Sequence, residues 1–400
     1  MEIGKPCLFL EINDKNFIFL VAQYDENFNY KVIESTEVKS EGILDGKIID
    51  IELSSKILKT SIVSIEKKIG FTFKSTILIS NQNNFECINI SGYKKLAGSQ
   101  IFNDDISYIL NKIKKIVLDN NPKKLLIHLF NSNFVLDSAI LSKLPIGLYG
   151  EFYNQHLTFF LLPEHELKNM KLTLKNCNIN IERFIFKVFA QGIKKLDTKE
   201  LSLLINIQEK RSDISIFENS SLVFSEPFNF GSDLIISDVS KISSLTSKVI
   251  KKIFKDEYFK NNEVTKNNGY LDSKYFEESR FRQISKDHLK EVVKARIDEI
   301  VEIIYKKNIN LSYFKNNKKN IHIFLEDPNI CINFSDDIKN SIAGPKDNVT
   351  VDSIKTQDER FLPAFSSAEL VSRGWEKEAI PIVETKKSII SSLFSIFFSK

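Results

Sequence analysis

Four hundred residues correspond to about two to three domains at about 150 residues each. With 42% hydrophobic and 27% charged residues, and a net charge of only +4 from 56 basic and 52 acidic side chains, the composition is that of a soluble globular chain and gives no case for a nucleic-acid partner. Cys7, Cys87, Cys177 and Cys331 lie far apart, so no metal-ligand spacing or disulfide framework is visible and buried, reduced thiols of a cytosolic protein are expected. The "HEL" at His165 lacks the second histidine of a zinc-protease helix, and no metal site or catalytic residue is assigned. No stretch reaches the ~18 consecutive apolar residues of a membrane-spanning helix.

In chain order, Leu8–Ile12 and Asn16–Gln23 read as a strand pair turning at Asn13–Asp14. Charged residues interrupt this apolar segment, which argues against a secretory leader. A third strand follows near Tyr30–Ser35. Ile51–Gly70 is predicted as an amphipathic helix with Leu53, Ile57, Thr60 and Val63 on its apolar side and a glycine stop at Gly70. From Ser75 the texture changes, with strands at Ile77–Ser80 and Cys87–Ile90, then a helix over Asp104–Leu118 carrying Ile106, Ile109, Leu110, Ile113 and Val117 on one face. Strands at Lys124–Leu129, Asn133–Ile140 and Gln155–Leu162 complete an inserted α+β unit. Helices are expected at Glu164–Cys177 and Phe184–Lys195, and a hairpin in "INIQEKRSDISIF" (205–217). A turn at Gly231 with a Ser232/Asp233 cap leads into a long helix. Asp256–Ser285 shows little periodicity. Lys286–Lys307 is a helix with Leu289, Val293, Ile297, Ile300 and Ile304 at helical spacing. Ile321–Leu325 is a buried strand and Asp336–Ile342 a short helix.

Two halves that each begin with a hairpin and continue into α/β structure resemble the superfamily of actin, the heat-shock chaperone ATPases and the sugar kinases. Within it the order resembles the FtsA family of bacterial cell-division proteins. "SEGILDGKIIDIELSSKILKTSIVSIEKKIG" (40–70) is similar to that family's glycine turn, strand end and long helix. "LPIGLYGEFYNQHLTFFLLP" (144–163) looks like the stretch that closes its inserted subdomain, and "RIDEIVEII" (296–304) like its second-half helix. The resemblance implies a bilobal α/β actin-like ATPase fold with an inserted SHS2-like subdomain. Its parts would be residues 1–74 and 164–197 (first lobe), 75–163 (insertion), 198–375 (second lobe), 376–385 (linker) and 386–400 (a membrane-targeting helix). It further implies a cytoplasmic scaffold at the division septum that self-associates and tethers FtsZ to the inner membrane. FtsZ would engage Ser240–Lys318 through its C-terminal tail, and the insertion would serve self-association or later division proteins. Two alternatives share the fold: a PilM-like pilus-assembly protein, and an ATP-dependent kinase or chaperone-like ATPase.

The departures from that family sit at the nucleotide, where the resemblance implies ATP and Mg²⁺. The first phosphate loop reads Glu11-Ile12-Asn13-Asp14-Lys15 where an acidic residue, an apolar one and a glycine are expected. The second reads Asn206-Ile207-Gln208-Glu209-Lys210-Arg211-Ser212-Asp213, followed by the turn at Gly231. The adenine-side loop has Glu326-Asp327-Pro328 in place of paired glycines. Glycine lets backbone N–H groups approach phosphate and permits positive φ; another residue held there costs roughly 1–2 kcal/mol, so such loops choose other shapes. Glu209 adds negative charge where phosphate would lie. Lys210 and Arg211 are the candidate compensating phosphate binders, and Glu11 and Asp213 the carboxylates left for Mg²⁺. These changes weigh against hydrolysis.

The tail "KKSIISSLFSIFFSK" (386–400), wound as a helix, gathers Ile389, Ile390, Leu393, Phe394, Ile396, Phe397 and Phe398 on a broad apolar face against a narrow serine stripe, with Lys386 and Lys387 preceding it. At about 1.5 Å per residue it measures ~22 Å, too short for a ~30 Å hydrocarbon core, so an interfacial anchor is expected.

Overall fold

The computed structural model describes residues 3–373 except 83, 142, 197–199, 256–268, 278, 316–318, 327–330, 345–346 and 354–356. Asp327, the 376–385 linker and the 386–400 helix therefore lie outside the described residues. The chain runs β1 (Pro6–Ile12), β2 (Asn16–Tyr24), β3 (Tyr30–Lys39), β4 (Ile43–Leu44), β5 (Lys47–Ile48), α1 (Ile51–Ile69), β6 (Ser75–Ser80), β7 (Glu86–Lys95), α2 (Asn103–Asp119), β8 (Lys124–Leu136), β9 (Ala139–Leu141), β10 (Phe152–Pro163), α3 (Glu164–Asn176), β11 (Asn180–Phe186) and α4 (Lys187–Lys195). It continues through β12 (Ser202–Ile207), β13 (Ser212–Glu218), β14 (Ser221–Phe228), α5 (Asp233–Ser243), α6 (Ser247–Lys255), α7 (Lys286–Val301), α8 (Ser312–Lys315), β15 (Asn320–Leu325), α9 (Cys331–Ile342), β16 (Asn348–Ser353), α10 (Gln357–Arg360) and α11 (Leu362–Arg373). Two compact units result. The first holds residues up to 200, the hairpin tip 217–224 and the chain from 360 on; the second holds 201–216 and 225–359.

The first unit contains a five-stranded sheet of order β11-β6-β1-β2-β3. β1–β2–β3 form an antiparallel meander, and β6 runs parallel to both β1 and β11. The strand at Ser75–Ser80 thus belongs to this sheet, and the insertion expected from Ser75 starts a new sheet only at Glu86. That second sheet has order β7-β10-β8-β9. The expected strand at Lys124–Leu129 and the first part of the one expected at Asn133–Ile140 are one strand, β8, whose pairing with β10 shifts register at His156/Leu157 and Phe160/Leu161, while Ala139 and Ile140 belong to β9, which folds back on β8. A bulged strand bends without ending, so the polar Asn131–Asn133 stretch does not mark a loop. α2 lies on this sheet by the predicted face: Ile106, Ile109, Leu110, Ile113 and Val117 are all buried. Gly92 of β7 makes room for it, since a Cβ there would stand 2.1 Å from Ile113 Cδ1 and 2.4 Å from Ile109 Cγ2. A ring cluster fastens the insertion to the first sheet. His128 stacks on Phe130 at 5.5 Å, Phe130 meets Phe189 at 4.7 Å, and the Phe186 N–H donates to His128 Nε2 at 3.2 Å.

Three expectations in this unit are corrected. α1 begins and ends as predicted, capped by the Asp50 side chain and by Gly70 at φ 68°. Its buried face, however, is Ser54, Ser55, Leu58, Ser61, Ile62 and Ile65, while Leu53 and Val63 are exposed. Small serines let α3 approach: Ser55 Oγ donates to the Thr173 carbonyl at 3.2 Å. Phe184–Phe186, read as helix, is the end of β11; apolar residues continue past the single charge of Lys187 into α4 because both elements are buried. Residues from 360, assigned to the second lobe, return to the first unit as α11. Ala364 and Ala368 of that helix are fully buried, and Tyr24 Oη donates to the Ala368 carbonyl at 2.9 Å.

The second unit is built on a sheet of order β14-β13-β12-β15-β16, in which β12, β15 and β16 are parallel. β16 carries no expectation from sequence. The long helix predicted after Gly231 is two, α5 and α6, broken by Ser244 at φ 50°. α7 carries the predicted stripe, with Leu289, Val293, Ile297 and Ile300 buried, and the π-helical turn Glu302–Lys306 that continues it buries Ile304. Arg296 on it pairs with Asp238 of α5 and with Glu299.

Candidate functional site

The first loop joins β1 to β2 and is closed by its own side chains. Asn13 Oδ1 accepts the backbone N–H of Lys15 at 3.0 Å and of Asn16 at 2.8 Å. Those are donors that a glycine loop leaves for an anion. Asn13 Nδ2 donates to Glu11 Oε1 at 3.1 Å. Glu11 is fully buried, and Lys187 Nζ lies 3.4 Å from the same oxygen, itself nearly buried. Asp14 Oδ1 accepts the Gly46 N–H at 2.7 Å, which fastens the loop to the β4–β5 hairpin. Gly46 is required there: it sits at φ 71°, and a Cβ would stand 2.6 Å from the Asn81 carbonyl oxygen. Lys15 is exposed and contributes its carbonyl to Ser40 N–H.

The second loop, between β12 and β13, is likewise folded onto itself. The Gln208 N–H donates to the Arg211 carbonyl at 2.9 Å, and Arg211 Nε donates to Gln208 Oε1 at 2.9 Å. Arg211 is only 6% exposed, so it does not reach outward as the expected phosphate binder; its guanidinium is used to hold the turn. Lys210 is exposed. Glu209 is engaged by Lys251 of α6 at 2.8 Å, and Gln208 Nε2 donates to Glu326 at 3.3 Å. Asn206 Nδ2 donates to Asp213 Oδ2 at 2.9 Å, and Ser212 Oγ to the Phe230 carbonyl at 2.9 Å.

The start of α5 closes the arrangement. The N–H groups of Ser232 and Asp233 donate to the carbonyls of Gln208 and Glu209 at 2.9 and 2.8 Å. A helix N-terminus is an anion site when its amides are open; here loop carbonyls accept from them. The Ser232 side chain makes no capping hydrogen bond. Gly231 serves packing, because a Cβ would stand 2.2 Å from the Gln208 oxygen, 2.6 Å from the Glu209 oxygen and 2.7 Å from the Arg211 nitrogen. Burial, with Glu209 adding to it, pushes the Asp233 carboxyl above its ordinary range.

The residues singled out by sequence therefore gather in two self-bonded loops, one per unit. Their contacts do not fit the phosphates of a nucleotide–Mg²⁺ complex: the Asn13 side chain holds the amides of the first loop, backbone carbonyls hold those of the second and of the start of α5, and Glu11 faces an ammonium. Two participants escaped the sequence reading, Lys187 and Lys251; Glu326 was read only as part of the adenine-side loop, and its contact with Gln208 was not. Lys187 carried a usable signal, a lone charge in the apolar run "FIFKVFA" (184–190). A charge in such a run is rarely buried without a partner.

No family model matches the chain. Cell division protein FtsA of Buchnera aphidicola subsp. Schizaphis graminum is 23% identical over 307 residues, covering 75% of this chain and 72% of that protein. FtsA of Streptococcus pneumoniae serotype 2 is 22% identical over 300 residues, covering 74% and 65%. FtsA of Buchnera aphidicola subsp. Acyrthosiphon pisum is 22% identical over 239 residues, covering 59% and 57%, so the chain spans less than two thirds of these last two relatives. Among solved structures, a chain of the PilM–PilN type IV pilus biogenesis complex matches with a TM-score of 0.55 at 9% identity, over 93% of this chain and 99% of that one. The fold is that of the actin-like ATPases, and the sequence is FtsA-like.

Proposed function

We propose that this chain is an actin-like cell-division scaffold that self-associates and tethers FtsZ to the cytoplasmic face of the inner membrane at the division site. The observation that carries the reading is that its sequence is similar to cell division proteins FtsA, one of them matching over 307 residues. FtsZ would be held through its C-terminal tail by the Ser240–Lys318 stretch, and the β7–β10 insertion, in the place of an SHS2-like subdomain, would serve self-association and other division proteins. The anchor is the 386–400 segment. Full burial of one of its large apolar side chains is worth roughly 1.5–3 kcal/mol, and interfacial insertion gives less; each lysine adds about 1 kcal/mol on an anionic surface. Against these stands the cost of ordering a short helix, so a monomer binds reversibly and self-association strengthens binding through avidity.

ATP turnover is weak or absent in this reading, since the loops at Glu11–Lys15 and Gln208–Asp213 bond to themselves. An ATP-dependent kinase or chaperone would need both loops open. A pilus-assembly role is the second reading, favoured by the fold match to the PilM–PilN complex. Liposome sedimentation separates the two. The full chain should pellet with anionic vesicles, and truncation after Thr385, or Phe394→Asp with Phe397→Asp, should release it with cooperative melting intact. A truncated chain that pellets equally well, or one that no longer melts cooperatively, would overturn the anchor. Robust Mg²⁺-dependent ATP hydrolysis abolished by Asp213→Ala would overturn the nucleotide reading.

A further inference from the structure

β1, β6 and β11 run parallel in the first sheet, and Glu11, Ile79 and Ile185 share one register row near their carboxyl ends. In open α/β sheets this end is where ligands bind. Here it holds a buried carboxylate and a buried ammonium: Glu11 is fully buried, Lys187 is 7% exposed, and they meet at 3.4 Å. The lysine is in an adverse place twice over. It is the first residue of α4, where the helix dipole disfavours positive charge, and burial strips the ammonium of water. A carboxylate opposite offsets both. Asn13 Nδ2, donating to the same Oε1 at 3.1 Å, completes the polar contact on that oxygen.

We infer that Lys187 is a resident cation: its ammonium supplies, from the protein itself, the positive charge that a divalent metal would otherwise bring to Glu11. The first unit then needs no metal at this sheet end, and its carboxylate takes none. The folded state is accordingly indifferent to Mg²⁺ and nucleotide at this position. The inference concerns one unit and holds or fails independently of the division role.

The test uses Mn²⁺ as the probe, alone and with ATP, on the full chain, read by electron paramagnetic resonance and by thermal melting. Wild-type protein should show no saturable Mn²⁺ site that Glu11→Gln removes, and no shift in Tm. Lys187→Met leaves a buried carboxylate without its cation, so its Tm should fall by several degrees, and Mn²⁺ should bind and restore it. Glu11→Gln combined with Lys187→Met should recover the melting temperature without binding Mn²⁺. A wild-type Mn²⁺ site lost in Glu11→Gln would overturn the inference. So would a Lys187→Met variant that melts like wild type, or one that gains no Mn²⁺ response. If Lys187→Met does not fold, the double variant decides: melting near wild type supports the pair, and failure to fold as well refutes it.

Discussion

Replacing Gly231 by alanine tests the closed second loop most sharply. The added methyl would sit 2.2 Å from the Gln208 carbonyl oxygen and 2.6 Å from that of Glu209. Both are backbone atoms of the same turn, so no rotamer relieves the clash and the loop must move off the start of α5. The hydrogen bonds from Ser232 and Asp233 N–H to those two carbonyls, at 2.9 and 2.8 Å, are then lost or stretched. Each is worth about 0.5–1.5 kcal/mol net, so the pair amounts to about 1–3 kcal/mol. Alanine also stiffens the unfolded chain, which returns about 0.4–1 kcal/mol. The expected net loss is up to about 2.5 kcal/mol and centres on about 1 kcal/mol, seen in urea as a lower midpoint at unchanged slope. Alanine at or above wild-type stability would refute the packing role and show that the loop has room to open.

Other consequences follow from single contacts. Tyr24→Phe removes the hydroxyl that donates to Ala368 and should cost about 1 kcal/mol in denaturant unfolding; no change would mean that α11 is not held by this bond. Burial pushes the Asp105 carboxyl up, but Lys94 and the Phe102 N–H outweigh it and hold its pKa below the ordinary range. A lowered folded pKa means stability that is present above the unfolded value and lost as pH falls through the folded one. Asp105→Asn should therefore weaken the protein at neutral pH by about 1 kcal/mol and flatten its acid transition, measured by melting across pH; an unchanged acid limb would contradict this. Burial pushes the Cys177 thiol up to about 11, so its alkylation at pH 8 should be slow in the native chain and rapid in urea, read by mass spectrometry; fast native labelling would contradict it.

Elements whose buried face is made of large apolar side chains were legible. α2 and α7 show their stripes at helical spacing, and the residues read on those faces are buried, with Asp105 and Val301 added by the fold. Where small or polar residues line the buried face, the pattern misleads. Ser54, Ser55 and Ser61 turned α1's face away from Leu53 and Val63, and α11 packs through alanines and serines with no stripe to see. Continuous burial hid the boundary between β11 and α4. For the site, missing glycines marked both loops as altered. How each loop closes was illegible, because Lys187, Lys251 and Glu326 reach their partners only through the fold.

The measurement closest to the central claim is recruitment of FtsZ to vesicles. Purified FtsZ, floated with anionic liposomes, should rise to the membrane fraction only when the full chain is present. It should stay behind when the chain is truncated after Thr385 or when the FtsZ C-terminal tail is removed. FtsZ that remains in solution beside a membrane-bound full-length chain would contradict the scaffold role.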